Sequence, residues 1–348
     1  MHTAWRWSEN KDAFADRRTL FYDSEFVRER SYYPQLALVQ WQVSGQTTAV
    51  LCDPLEQTPP WQALNQHNAP IVMHSGSQDL ELIRQESGTL PQQIRDTQIG
   101  FALCHPNLSV SFAELVKHYL DIDVDKSATR SDWIKRPLNN KQLDYAANDV
   151  GLLARVYPLL CAELNQLGRL SWWAEECAAL KRAAVQHQLS QPWYKLRRAP
   201  QLKGRETAVA ALLHQIREDL AREHDQPRRR ILDDGIIVDI AKSAPQHIED
   251  LAEHLKPKHL LFTRQNELIA GLANIDQQPY PIIPRSPRLN AQQRQRYNEL
   301  VDRCQTLADK LNIHPDLLTT QKNLRAFCAG QPNNCRIDQG WRKVLFVD

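Results

Sequence analysis

The stretch Leu20-Phe21-Tyr22-Asp23-Ser24-Glu25-Phe26 constrains this chain more than any other. Its aromatic and aliphatic residues read as a strand, yet it carries two carboxylates two positions apart. Strand side chains alternate faces, so Asp23 and Glu25 project to one side, about 7 Å apart along the backbone. Two buried anions on one face repel unless a cation sits between them. Hard oxygen donors at that spacing suit Mg²⁺ or Mn²⁺, not a softer metal. Taken alone, the pattern fits an edge strand with two solvated carboxylates better. The residues downstream tip the balance.

At 348 residues the chain is long enough for two or three domains with their own cores. No apolar run approaches a membrane span, and the opening Met1-His2-Thr3-Ala4-Trp5-Arg6-Trp7 lacks the apolar centre of a signal peptide. Seven cysteines, an odd number without a Cys-x-x-Cys pair, point to a reducing compartment and away from structural zinc. The expectation is a cytoplasmic, monomeric protein with no membrane partner and no organic cofactor. The net charge of +2 hides an asymmetry. Residues 1–165 carry 15 Lys and Arg against 20 Asp and Glu, and the remainder carries 28 against 21. An acidic half beside a basic half suggests one part that holds cations and another that meets a polyanion.

Leu36-Ala37-Leu38-Val39-Gln40-Trp41 and Thr47-Thr48-Ala49-Val50-Leu51-Cys52 read as two further strands, with Ser44-Gly45 as their turn. The first three strands then form an antiparallel meander, which Asp53-Pro54-Leu55 ends. A helix begins near Pro60-Trp61 and stops before Ala69-Pro70. Ile71-Val72-Met73 is a short strand that leads into His74-Ser75-Gly76-Ser77-Gln78-Asp79-Leu80, where Asp79 falls in the first turn of a helix. A carboxylate there is favoured by the helix dipole and alone means only a cap. His74 reads as a hydrogen-bonded residue at a strand end.

Asp96-Thr97-Gln98 opens another helix, and Phe112 to Leu120 is amphipathic. Asp121-Ile122-Asp123-Val124-Asp125-Lys126 has the outline of a calcium loop, but Lys126 stands where that loop needs Gly and Asp132 where it needs Glu. Lys126, Arg130, Lys135 and Arg136 make a basic loop that fits either phosphate contact or simple solvation. From Asn139 the spacing of Leu143, Ala147, Val150 and Ala154 predicts a helix, which Pro158 should kink or end. Tyr145 and Asp149 are four apart and share one face of it. Apolar neighbours bury that face, so Asp149 needs a partner, and a metal site begun by Asp23 and Glu25 supplies one.

Four carboxylates and a tyrosine thus lie in order: Asp23, Glu25, Asp79, Tyr145, Asp149. This pattern resembles the DEDD exonuclease superfamily in its tyrosine-containing branch. Tyr22-Asp23-Ser24-Glu25-Phe26, Tyr32-Tyr33-Pro34-Gln35-Leu36, the stretch His74 to Leu80, Asp96-Thr97-Gln98 and Asp125-Lys126-Ser127 all resemble the ribonuclease D family. So do Asp132-Trp133-x-x-Arg136-Pro137-Leu138 and Tyr145-Ala146-Ala147-Asn148-Asp149-Val150. The resemblance covers residues 15–165 and departs at Ser24, where Thr is usual, and at Gln78, where Glu is usual. It implies an α/β, ribonuclease-H-like exonuclease domain with a mixed sheet. It assigns Asp23, Glu25 and Asp149 to one divalent ion, Mg²⁺ or Mn²⁺. Asp23 bridges to a second, which Asp79 helps hold through water, and Tyr145 orients the attacking water.

Residues 166–203 place Trp172-Trp173 and Trp193-Tyr194 among cations and read as a linker arm whose aromatics pack on the nuclease sooner than they stack bases. From Glu206 the chain is helical, over Ala208 to Ala221, Ile236 to Ala241 and Pro245 to Leu255. Gln215-Ile216-Arg217-x-x-Leu220-Ala221, Pro227, Ile231-Leu232-Asp233-Asp234, Ile240-Ala241 and Pro245 resemble an HRDC domain, with Ile216 where Trp is frequent. Pro279 to Arg285 reads as an extended linker, and 290–348 as a divergent second copy. The expected layout is an exonuclease domain over 1–166, a linker arm over 167–203, one HRDC domain over 204–284 and an HRDC-like domain over 285–348. All-α HRDC modules imply weak nucleic-acid binding, which the basic excess of this half suits. A helical spacer is the competing role. The whole reads as a 3′→5′ exoribonuclease that trims RNA 3′ ends, transfer-RNA precursors among them, and releases nucleoside 5′-monophosphates. A DNA exonuclease of the same superfamily and a non-catalytic RNA-binding adaptor are the alternatives.

Overall fold

The computed structural model describes residues 2–9, 18–125, 127–129, 131–186, 191–331 and 335–346. The chain divides into two compact units, one of Met1–Phe26, Leu36–His187 and Ser286–Asp348, the other of Val27–Gln35 and Gln188–Arg285.

The first unit is built on a mixed sheet of β1 (Ala4–Trp7), β2 (Leu20–Val27), β3 (Gln35–Val43), β4 (Thr48–Cys52), β5 (Ile71–Met73) and β6 (Ile94–Asp96). The order is β1-β4-β3-β2-β5-β6. β1 runs parallel to β4, β5 is parallel to β2 and β6, and β3 pairs antiparallel with β4. Around it lie α1 (Trp61–Gln66), α2 (Ser77–Ser87), α3 (Thr97–Ala102), α4 (Phe112–Leu120), α5 (Asn140–Gln166) and α6 (Leu170–Gln186). The turn at Gly45, the start of α1, the Asp96 cap of α3 and both ends of α4 fall where the sequence predicts them. β1 and β6 are too short, at four and three residues, to leave a period in the sequence.

β2 shows why the sheet is clothed on both faces. Leu20 and Tyr22 join a core with Leu64 of α1 and Leu80 and Ile83 of α2. Phe21 packs instead with Ala147, Val150 and Leu153 of α5. Full burial of each such side chain is worth about 1.5–3 kcal/mol. Continuing the alternation turns Asp23 and Glu25 toward α5 and Ser24 toward α2.

α5 starts on a capping box in which Asn139 and Gln142 satisfy each other's backbone N–H groups. It does not end at Pro158, one of the two outcomes expected there, and runs on to Gln166. Pro158 lies exposed, while Val156, Leu160 and Leu164 on either side of it are buried. The packing of that apolar stripe outweighs the roughly 3 kcal/mol of a helical proline. α6 occupies part of the segment read as a linker arm. Its Trp173 is buried and donates a 2.8 Å hydrogen bond from Nε1 to the Asp96 carbonyl.

The second unit contains α7 (Arg205–Glu223), α8 (Arg228–Ile231), α9 (Asp234–Ser243) and α10 (Gln265–Asn274). Leu213, Ile216 and Leu220 of α7 pack against Ile237, Val238 and Ala241 of α9, and Tyr32 enters the same core. The expected helix over Pro245 to Leu255 is instead a 3-10 turn at Ile248–Glu253. The tyrosine hydroxyl meets the fully buried Glu218 at 3.1 Å and accepts from Arg222 and Arg228. Arg228 also donates to Glu218 at 2.6 Å and lies 4.7 Å over the Tyr32 ring. The chain then runs without regular structure from Gln278 to Asn290. It returns to the first unit as α11 (Ala291–Leu311), α12 (Pro315–Leu318), α13 (Gln321–Cys328) and α14 (Gly340–Phe346). Trp341 stacks on Trp172 at 4.3 Å, and Glu176 of α6 pairs with Arg336 at 2.9 Å and Arg342 at 2.6 Å.

Candidate active site

Asp23, Glu25 and Asp149 converge: one carboxylate oxygen from each lies within 4.8 Å of the others. β2 supplies the first two on the face toward α5, and α5 supplies the third one turn after Tyr145. Asp23 Oδ2 accepts a 2.6 Å hydrogen bond from Gln40 Nε2 on the neighbouring β3. Gln40 is fully buried, and sequence reasoning did not single it out. A lone amide inside the apolar run Leu36 to Trp41 was the available signal, since buried polar groups need partners.

Asp79 stands outside this cluster of three. It sits in the first turn of α2, buried, and its Oδ1 accepts a 2.5 Å hydrogen bond from Ser24 Oγ. Gly76 caps the helix, and a Cβ there would fall 2.8 Å from Met73, so the turn admits no side chain. Asp96 holds the same turn by accepting from the N–H groups of Ser75 and Gly76 at 3.2 and 2.8 Å. His74 bridges Thr97 Oγ1 at 3.0 Å and the Val110 carbonyl at 3.1 Å, the strand-end role expected of it.

The electrostatics are those of carboxylates crowded together in a buried site. Burial, then the charges of Asp79, Asp149 and Glu25, push Asp23 well above the usual carboxylate range. Glu25 is raised likewise by burial, Asp149 and Asp79. Burial lifts Asp149 to about 8 against a hydrogen bond from Tyr145 that lowers it. Asp79 is lifted to about 6 by burial, opposed chiefly by the Ser24 hydroxyl. Four carboxylates this close do not all ionise near neutrality without a cation among them. The donors are all hard oxygens, a set that fits a divalent Mg²⁺ or Mn²⁺ ion.

Tyr145 completes the site. Burial and the neighbouring Asp149 raise its phenol above the usual value, so it stays protonated and donates. Its hydroxyl is 3.4 Å from Thr129 Oγ1, and Trp133 lies 6.1 Å from its ring. Beside Tyr145 and Asp149 opens a cavity of about 300 Å³, lined also by Ser127, Lys141 and Asn148. Two arginines that could have met phosphate are held by protein partners. Arg136 donates to Asp53 at 2.5 and 2.8 Å and to the Ala37 carbonyl, and Arg228 is held by Glu218 and Tyr32. Lys126 and Arg130 of the same basic loop lie outside the described residues.

Comparison with known proteins identifies the family. Residues 9–165 match the 3′-5′ exonuclease family, and residues 206–260 match the HRDC domain. Ribonuclease D of Desulfotalea psychrophila is 30% identical over 94% of this chain and 90% of its own length. Ribonuclease D of Pseudomonas paraeruginosa is 32% identical over 89% of this chain and 84% of its own. The crystal structure of Escherichia coli RNase D, an exoribonuclease involved in structured RNA processing, superposes with a TM-score of 0.79 at 28% identity, covering 94% of this chain and 91% of that one. The exonuclease domain and the HRDC segment are thus shared with these proteins. The chain belongs to the ribonuclease D family of divalent-metal-dependent 3′→5′ exoribonucleases.

Proposed function

We propose that Asp23, Glu25, Asp79 and Asp149 hold two divalent ions, Mg²⁺ or Mn²⁺, and that Tyr145 positions the attacking water. The observation that carries this reading is the meeting of Asp23, Glu25 and Asp149 oxygens within 4.8 Å, with all three carboxylates raised by burial. Bound there, such a pair of ions supplies activation of water and charge to stabilise the attacking and leaving oxygens of an in-line displacement. Tyr145 donates its phenol proton as a hydrogen bond and does not abstract one, because its acidity is suppressed. Gln40 fixes the Asp23 carboxylate, and Ser24 fixes that of Asp79. The cavity beside Tyr145 receives the 3′-terminal nucleotide. Hydrolysis forms a bond from the water oxygen to phosphorus and breaks the bond from phosphorus to the 3′ oxygen. It frees a nucleoside 5′-monophosphate and leaves a new 3′-hydroxyl.

The substrates proposed are structured RNA 3′ ends, precursor transfer RNA among them, in line with the role described for the Escherichia coli relative. The exonuclease domain spans 1–166, a first HRDC domain 204–284 and a divergent copy 285–348, with a connecting arm between. The HRDC segments hold RNA by phosphate contacts, since residues 166–348 carry the basic excess. Matched RNA and DNA oligomers, each 5′-labelled and offered with Mg²⁺, Mn²⁺ or EDTA, test the assignment. The reading requires stepwise shortening of RNA from the 3′ end in metal and none in EDTA. Faster degradation of DNA than of RNA would move the protein to the DNA exonucleases of the same superfamily.

A further inference from the structure

Away from the acidic cluster, three metal-ligating side chains from three elements meet. His105 follows α3, His118 lies on α4 and Glu163 is near the end of α5, and one donor atom of each lies within 4.8 Å of the others. Glu163 is 14 positions along α5 from Asp149, about 21 Å at the helical rise, so this cluster is distinct from the catalytic carboxylates.

We propose that His105, His118 and Glu163 form a second metal site, one that takes Zn²⁺ and ties α4 and the segment after α3 to the far end of α5. Two imidazoles and one carboxylate make a borderline donor set that favours Zn²⁺ over Mg²⁺, with a fourth position left for water. The cluster involves no cysteine, so it lies outside the Cys pattern that argues against structural zinc. His105 Nε2 is buried, and the partner it has is Glu163 Oε1 at 3.3 Å, longer than a good hydrogen bond. A buried polar nitrogen so weakly partnered is costly, and a metal ion is a partner that satisfies it.

The surroundings already orient the donors. Tyr119 donates a 2.5 Å hydrogen bond to Glu163 Oε2, which fixes the carboxylate and leaves Oε1 toward His105. Support of this kind is what tunes a metal-binding carboxylate. The His105 and His118 rings are 4.7 Å apart, and Phe101 packs on both, at 4.1 and 5.2 Å. Donors on a tetrahedral zinc lie about 3.4 Å from one another, given bonds near 2.1 Å. His105 Nε2 and Glu163 Oε1 already stand at 3.3 Å, and rotation of His118, which is exposed, brings its donor to that spacing and gives an ion its way in.

The test uses the full chain in millimolar Mg²⁺, which keeps the catalytic carboxylates occupied. Zn²⁺ is titrated by calorimetry and Co²⁺ by visible absorption, into the parent, His118→Ala and Glu163→Gln. The expected result is one equivalent bound by the parent, weakened by more than about tenfold in either variant. Zn²⁺ should also raise the Tm of the parent and leave that of His118→Ala unchanged, while Mg²⁺-dependent cleavage by His118→Ala matches the parent. Equal Zn²⁺ affinity in parent and both variants overturns the proposal, as does absence of binding at micromolar Zn²⁺. Thiolate charge-transfer bands in the Co²⁺ spectrum also overturn it, because they place the ion on cysteine.

Discussion

Ser24 Oγ, between Asp23 and Glu25 on β2, donates a 2.5 Å hydrogen bond to Asp79 Oδ1. The strand therefore serves two carboxylate groups at once. Odd positions face Asp149, and the even position between them anchors Asp79. The hydroxyl lowers Asp79 against the burial that raises it, so its loss leaves Asp79 more readily protonated. Ser24→Ala should raise the Mg²⁺ concentration for half-maximal activity by roughly tenfold to a hundredfold, in keeping with one hydrogen bond to a charged group. Ser24→Thr keeps the hydroxyl and should restore the parental value. A metal titration of activity for the two variants checks both.

Without metal, the protein should lose stability as pH rises from about 4 to about 8. Below that window Asp149 carries its proton in both folded and unfolded chains. Within it the unfolded carboxyl ionises near its ordinary value while the folded one, raised to about 8, still holds its proton. The folded state then binds more protons, so stability falls with pH. Mg²⁺ should cancel this, and its effect on Tm should be larger by roughly a few degrees at pH 8 than at pH 5. Asp149→Asn should flatten the fall in EDTA. Thermal melts with EDTA or Mg²⁺ across that range give the comparison.

Tyr145→Phe should leave Mg²⁺ binding intact and lower the rate by roughly 10²-fold, the scale of a lost proton-handling group. Because the phenol stays protonated, the residual activity should show no new alkaline limb. An unchanged single-turnover rate would remove Tyr145 from the mechanism.

The arginine run at 228–230 should split by function. Arg228 is paired with the fully buried Glu218, so Arg228→Ala should cost roughly 1–3 kcal/mol of stability through a buried acceptor left short of its donor. Arg230 is exposed, and Arg230→Ala should instead weaken RNA binding and make the salt dependence shallower by about 0.7–0.9 in the log–log slope. Denaturation curves and binding isotherms at several salt concentrations separate the two effects.

The parts that were legible in the sequence share a strong local signal. Asp-x-Glu on an aromatic strand placed two carboxylates on one face, and the capped periodic helix from Asn139 placed Tyr145 and Asp149 on another. Asp96 announced α3 because a cap is a property of a few adjacent residues. What escaped depends on distant partners. Gln40 matters only because β3 lies beside β2, and Arg136 and Arg228 look free until Asp53 and Glu218 are placed against them. That Pro158 does not end α5 escaped for the same reason, since the packing that carries the helix past it is tertiary.

The most direct test of the central claim is the product pattern of 5′-labelled single-stranded RNA with a free 3′-hydroxyl, cut by the parent and by Asp149→Asn in saturating Mg²⁺. The account predicts a ladder that shortens one nucleotide at a time from the 3′ end for the parent, with nucleoside 5′-monophosphate as the released product. It predicts no shortening for a folded Asp149→Asn and none for the parent in EDTA. Near-parental turnover by Asp149→Asn, internal cuts, or degradation that persists in EDTA would contradict it.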